Sequence, residues 1–331
     1  MKFHYEFDIK KLPLPIDHQQ KLLLIGSCFT ENIGEKLRNY KFTISENPHG
    51  ILFNPVSVAD ALNDYIINRK YTIDNLFCYN ETWHSWKHHS RFSGITAAES
   101  LQKINSSIQA THQYLKETDT ILVTLGSSWI YALTDKALNA TVGTVAANNH
   151  KAPADWFTKR LLSADEVSVL LQTTFDQLFL YNSKVKIILT ISPVRHLREG
   201  VIENNLSKAV LIQAVHQLVE QNKQLYYFPA YELVIDDLRD YRFYAEDLVH
   251  PNYQATQYVW EKFTNACMKQ ETKELMKQIG EINLAFHHKP FNPGTAQHKA
   301  FLHSYLEKTS LLQLQYTYLD FSREISYFSQ V

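Results

Sequence analysis

The sequence predicts an α/β fold, an open and mostly parallel sheet covered by helices on both faces. Three observations carry that expectation. Short apolar runs of strand length recur along the chain, segments of helical period separate them, and the runs exit into loops rich in glycine, serine, asparagine or proline. The first run, Lys21-Leu22-Leu23-Leu24-Ile25, stops at Gly26-Ser27, as a buried parallel strand would. Residues 30–40 follow with Ile33 and Leu37 at i, i+4 spacing, which predicts an amphipathic helix. A second strand is expected at 41–46, before the loop signal Asn47-Pro48-His49-Gly50, and a helix at 56–69.

Residues 71–94 are aromatic, rich in histidine and irregular, whereas 96–117 return to helical period. A third apolar strand, 120–125, ends at Gly126. Residues 129–133 and 141–145 could pair as a hairpin, with 148–157 as loop. A helix at 164–181, a strand at 185–191, a helix at 203–221, a strand at 225–228 and a helix at 253–269 complete the alternation. Beyond about Cys267 the strand signal fades into a polar helical tail broken around Pro290 and Gly294.

Composition narrows the function classes. The chain has 331 residues and a formal net charge of −1, which argues against a protein built to hold nucleic acid electrostatically. Its three cysteines are dispersed and odd in number, so no disulfide framework is expected. The N-terminus carries early acids and no apolar core of a signal peptide, and no apolar run approaches the ~20 residues of a membrane span. These features lead to the expectation of a soluble, cytoplasmic protein. Glycine is scarce, nine in 331 where about 7% is usual, so it should be spent where the backbone demands it.

In open parallel sheets ligands sit outside the carboxyl ends of the strands, so the strand exits are where chemistry is expected. Ser27 stands at the first exit, on a strand-to-helix turn beside free backbone N–H groups. It either caps the helix or serves as a nucleophile. The neighbouring Cys28 reads as a structural thiol. Asp247 precedes His250 by three residues, close enough to bond one imidazole nitrogen and leave the other to take a proton; alternatively Asp247 caps a turn and His250 is a surface residue. His84, His88 and His89 have ligand-like spacing, but no HExxH accompanies them, and no metal is expected. Arg195 and His196, at the exit of the 185–191 strand, could bind a carboxylate, phosphate or sulfate. Asp236, Asp237 and Asp240 read as a solvated face.

Gly26-Ser27-Cys28-Phe29, followed by Thr30, resembles the motif that names the GSCFA family, relatives of the SGNH (GDSL-like) hydrolases. The same resemblance extends through the stretch from Asn47 to Pro55, Trp83-His84-Ser85-Trp86-Lys87-His88-His89-Ser90, Ser192-Pro193-Val194-Arg195-His196, Glu203-Asn204-Asn205, Ser207-Lys208-Ala209 and Glu246-Asp247-Leu248-Val249-His250-Pro251. It covers residues 1–265 and leaves 266–331 as a helical extension. It implies a three-layer α/β/α sandwich of flavodoxin-like type, with Ser27 as nucleophile, His250 as base and Asp247 as the orienting acid.

By the same resemblance a glycine and an asparagine complete the oxyanion hole. Gly50, or the backbone of Phe53 and Asn54, matches the glycine, and Ser128 stands where the asparagine is usual. The segment holding His89 is placed at the mouth of the site. The implied activity is that of a serine esterase acting on an O-acyl ester, of short chain and on a small molecule or glycan, with no cofactor. Acyl transfer on the same fold, or glycan binding without turnover, are the alternatives.

Overall fold

The computed structural model describes residues 4–330. Its strands are β1 (Lys21–Gly26), β2 (Thr43–Glu46), β3 (Phe77–Tyr79), β4 (Thr82–His84), β5 (Thr120–Leu125), β6 (Trp129–Leu133), β7 (Phe157–Leu161), β8 (Lys186–Ile191) and β9 (Leu225–Tyr227). Its helices are α1 (Cys28–Asn39), α2 (Pro55–Ile67), α3 (Ala97–Leu115), α4 (Ala164–Tyr181), α5 (Val201–Gln221), the single turn α6 (Ala230–Glu232), α7 (Tyr253–Cys267), α8 (Gln270–Phe286), α9 (Ala296–Gln315) and α10 (Ser322–Phe328).

Five strands form a parallel sheet in the order β2-β1-β5-β8-β9. This is the flavodoxin-like order, in which the chain reverses its direction of travel between β1 and β5. Strand side chains alternate between two cores, as the two-residue period of a strand requires. Leu23, Ile25, Ile121, Val123, Ile187 and Leu189 face the layer of α2, α3, α4 and α5. Leu22, Leu24, Leu122 and Ile188 face α1, α7 and the N-terminal segment around Leu12 and Ile16. Strands β1, β5 and β8 are therefore buried on both faces and read as largely apolar runs, while the edge strand β2 is polar and partly exposed.

The C-terminal helices form a third cluster around Ile279, Leu302, Phe321 and Phe328, against which Tyr40, at the end of α1, also packs. An ion pair of 2.8 Å between Lys41 and Glu324 ties the same surfaces. Among the described residues no helix is long and apolar enough to cross a membrane.

Three local expectations need correction. The strand that pairs with β6 along its length is β7, antiparallel, with Tyr131 opposite Lys159; residues 141–145 form no strand but still line β6, through a bridge between Ala132 and Val145 and backbone bonds of Leu133 with Gly143 and Thr144. The reason lies downstream, where β7 delivers the chain to Ser163, whose hydroxyl and Glu166 form a capping box at the start of α4. The segment 71–94 is not wholly irregular, because β3 and β4 pair within it. Asp237 is buried, not solvated: Tyr258 donates to it at 2.6 Å, and His4 Nδ1 lies 2.5 Å from its other oxygen.

Candidate active site

Ser27 lies at the point where the strand order reverses, between the carboxyl ends of β1 and β5. Gly26 makes that position possible. Its φ is +144°, and a Cβ there would stand 2.2 Å from the carbonyl oxygen of Thr124 on β5. The turn is then pinned on every side. Gly26 N–H donates to Asn47 Oδ1 at 2.9 Å, Ser27 N–H donates to Thr124 O at 3.1 Å, and Leu52 N–H donates to Gly26 O at 2.9 Å.

Ser27 occupies the N-cap position of α1, yet its side chain makes no capping bond. The hydroxyl is buried and has no hydrogen-bond partner among the described residues. Such a group costs stability and asks for a reason. Beside it, burial raises the Cys28 thiol above the usual range, Glu31 adding to the effect, which keeps that thiol protonated and a poor nucleophile near neutral pH.

The Asp247–His250 loop carries a preformed acid–imidazole pair. Asp247 Oδ1 accepts from the backbone N–H groups of Val249 (2.9 Å) and His250 (3.0 Å), and Oδ2 lies 2.7 Å from His250 Nδ1. These bonds, the backbone and side chain of His250 foremost, hold the Asp247 carboxyl down to about 2. Asp247 therefore stays ionised through the neutral range and fixes the ring with Nε2 turned outward from the pair. Both side chains are about half exposed. The Ser27 hydroxyl is not bonded to His250 in this structure, although the loop is tied to the sheet edge. Arg195, beyond the exit of β8, donates its backbone N–H to Val249 O at 3.2 Å.

A cavity of about 610 Å³ opens at the same edge, lined in part by Phe53, Asn54, Trp129, Tyr131, His150 and His196. Phe53 connects it to Ser27, because a point 3.3 Å from the Phe53 ring on Gly126 is also 3.4 Å from Ser27 Cβ. Burial lowers His150 to about 4, so it is neutral at pH 7; its Nε2 faces Ser85 O at 2.9 Å.

The other expected residues separate into groups. Asn54 lines the cavity. Its Oδ1 caps α2 by accepting from Ser57 N–H at 2.9 Å, which leaves its amide N–H groups outside the capping bond. Gly50 N–H donates to Asn47 O, and the residue's φ of +85° lets it pass His89, whose Cβ would lie 2.1 Å from a Cβ at position 50. The Ser128 hydroxyl is fully buried and donates to Ser207 of α5 at 3.1 Å. Neither Gly50 nor Ser128 lines the cavity. His196 does line it, whereas the Arg195 guanidinium stacks on Tyr244 at 4.5 Å and so braces the Asp247–His250 loop. His89 accepts from Arg91 N–H and caps a short turn away from the cavity wall. His84 bonds Ser93 Oγ, and His88 stacks on His49, so the three spaced histidines do not converge.

Sequence reasoning passed over the side chain of Asn54, the aromatic wall of Trp129 and Tyr131, and His150. An Asn-Pro pair at a helix start was the available signal for Asn54, since asparagine there caps through one atom and has another to spare.

Asn54→Ser separates those two tasks. Serine keeps a capping oxygen but loses the amide, so α2 should be retained and thermal stability should change little. If the amide supports an oxyanion, turnover of an ester should fall on the order of a hundredfold. Parallel melting curves and rate measurements check both halves.

The GSCFA family profile matches residues 21–263, and the profile of the GSCFA domain protein C-terminal domain matches residues 279–330. No curated protein matches the sequence. Among solved structures, a carbohydrate esterase family 3 protein from Talaromyces cellulolyticus aligns at 11% identity and a TM-score of 0.36. That alignment covers 79% of this chain and 99% of the other. An acetyl xylan esterase from the rumen bacterium Butyrivibrio proteoclasticus aligns at 12% identity and 0.38, covering 76% of this chain and 65% of its own. With the matched region spanning most of the sequence, the chain belongs to the GSCFA family.

Proposed function

We propose that the chain is a serine esterase that hydrolyses an O-acyl ester through an acyl-enzyme. The observation that carries the reading is the Ser27 hydroxyl: buried at the switch point of the sheet, unbonded among the described residues and not used as a cap. Ser27 Oγ attacks the ester carbonyl and passes its proton to His250 Nε2. Asp247 holds the opposite nitrogen and stabilises the imidazolium that forms. The Asn54 amide donates to the developing oxyanion. Collapse of the tetrahedral intermediate expels the alcohol, which takes the proton back from His250, and water then releases the acid by the same path.

The reaction requires the half-exposed Asp247–His250 loop to close onto Ser27, since catalytic hydrogen bonds that are long or absent in a free enzyme form in the complex. Trp129 and Tyr131 offer flat apolar faces, while Asn54, His150 and His196 offer polar atoms. That combination suits an acylated sugar bearing a short acyl group. We assign this chemistry to residues 1–265 and a packing role to 266–331.

The test is hydrolysis of p-nitrophenyl acetate by the wild type and by His250→Ala. The variant should lose at least ~10³-fold in kcat. Wild-type activity that survives the substitution would remove His250 from the mechanism.

A further inference from the structure

The buried stripe of α5 runs Asn204, Ser207, Lys208, Leu211, Ala214, Val215 and Leu218, the spacing of one helix face. Its later part is apolar, as a core stripe should be. Its first turns are polar, and each polar side chain reaches a strand exit. Asn204 Oδ1 accepts the backbone N–H of His196 at 2.9 Å. Ser207 Oγ accepts from Ser128 N–H at 2.8 Å. The Lys208 amine donates to the carbonyls of Gly126 (2.6 Å) and Ser192 (2.7 Å), the residues just beyond β5 and β8.

Lys208 is one of the largest fully buried side chains of the protein, and no carboxylate pairs with it among the described residues. An unpaired buried ammonium is expensive, and an apolar residue would fill the same space more cheaply. Gly126, which it holds, lies against both Ser27 and Phe53, and the Gly126 and Ser127 N–H groups both donate to Phe53 O at 2.8 and 2.9 Å. One amine thus locks the β5 and β8 exits together, and the Phe53 carbonyl joins the β2 side to them.

We propose that Lys208 is a positioning residue of the ester-cleaving site, fixing the Gly126 and Ser192 backbone around Ser27 and supplying a buried positive charge behind the Gly126 turn that flanks Ser27. It rests on the serine-esterase reading of the same edge. The titratable groups that face the amine are Cys28, from α1, and Tyr231, from α6, whose ring centre is 5.9 Å away; the β5 and β8 exits offer it carbonyls. Burial lowers Lys208 to about 7, with Cys28 opposing the shift. The ammonium is the working form, so activity falls as pH rises through the neutral range.

The experiment compares the wild type, Lys208→Met and Lys208→Arg in p-nitrophenyl acetate hydrolysis between pH 5.5 and about 9.5, with thermal melting over the same range. Folded Lys208→Met should lose roughly 10²-fold in kcat, with KM changed by less than about threefold. The wild type should show an alkaline limb that Lys208→Arg lacks, because arginine keeps its charge. In melting, the unfolded chain holds the lysine proton up to its ordinary pKa of about 10.4 while the folded chain releases it earlier. Wild-type stability should therefore gain a component rising with pH above neutrality, which Lys208→Met lacks. A folded Lys208→Met with wild-type kcat overturns the proposal. So does a wild-type profile without an alkaline limb, which decides the matter even if the methionine variant fails to fold. If Ser27→Ala retains full activity, the esterase reading fails first, and the melting comparison still reports whether Lys208 ionises as described.

Discussion

Ser27→Ala is expected to abolish ester turnover, by at least ~10³-fold in kcat, while leaving the protein as stable as the wild type or slightly more so. The two halves of that result come from one observation. Where an N-cap serine holds a helix by its hydroxyl, replacement by alanine costs ~1 kcal/mol. Ser27 makes no such bond, and its hydroxyl is buried without a partner among the described residues, a condition that costs about 1–3 kcal/mol in the folded state. Removing the oxygen relieves that cost and takes away the nucleophile. A variant that keeps its activity and melts several degrees lower would mean that Ser27 serves the helix after all.

Gly26→Ala should prevent the protein from folding, or destabilise it by more than about 4 kcal/mol. The φ of +144° is one that an L side chain rarely adopts, and the added methyl would meet the Thr124 carbonyl at 2.2 Å. The carbonyl cannot give way freely, because it already accepts the Ser27 N–H. Relief would require β1 and β5 to part at the centre of the sheet, where Gly26 pairs with Thr124. Soluble yield and urea denaturation of the purified variant measure the effect, and a variant as stable as the wild type would mean that this turn is far more compliant than its bonds suggest.

The sheet was legible because its central strands are buried on both faces. A run such as Thr120–Leu125 is mostly apolar, buried throughout and followed by a glycine, and the predicted and observed bounds coincide. Helix α4 was equally plain, opened by a serine–glutamate capping box. The β6–β7 pairing was hidden because Thr158, Lys159 and Arg160 are exposed and polar, so β7 has no apolar signature.

For the candidate site, the sequence placed Ser27 at the exit of a strand and Asp247 within bonding reach of His250, and the structure has both features. The contacts of Ser128 and Arg195 depend on elements distant in sequence, so residue type and spacing alone could not place them, whereas the Asn54 cap is a local bond to Ser57. The stripe on α5 lies between these cases. Its helical phase puts Lys208 on the core face, and a lysine in register with leucines and valines is a signal that helical spacing alone reveals.

The whole mechanism turns on Ser27 being a nucleophile activated by the Asp247–His250 pair. Labelling with a fluorophosphonate, followed by mass mapping of the modified peptide in the wild type and in His250→Ala, decides that point. A single adduct is expected on Ser27 of the wild type, formed at least ~10²-fold more slowly in the variant. A protein that hydrolyses p-nitrophenyl acetate yet carries no adduct on Ser27, or carries it on another residue, would contradict the mechanism.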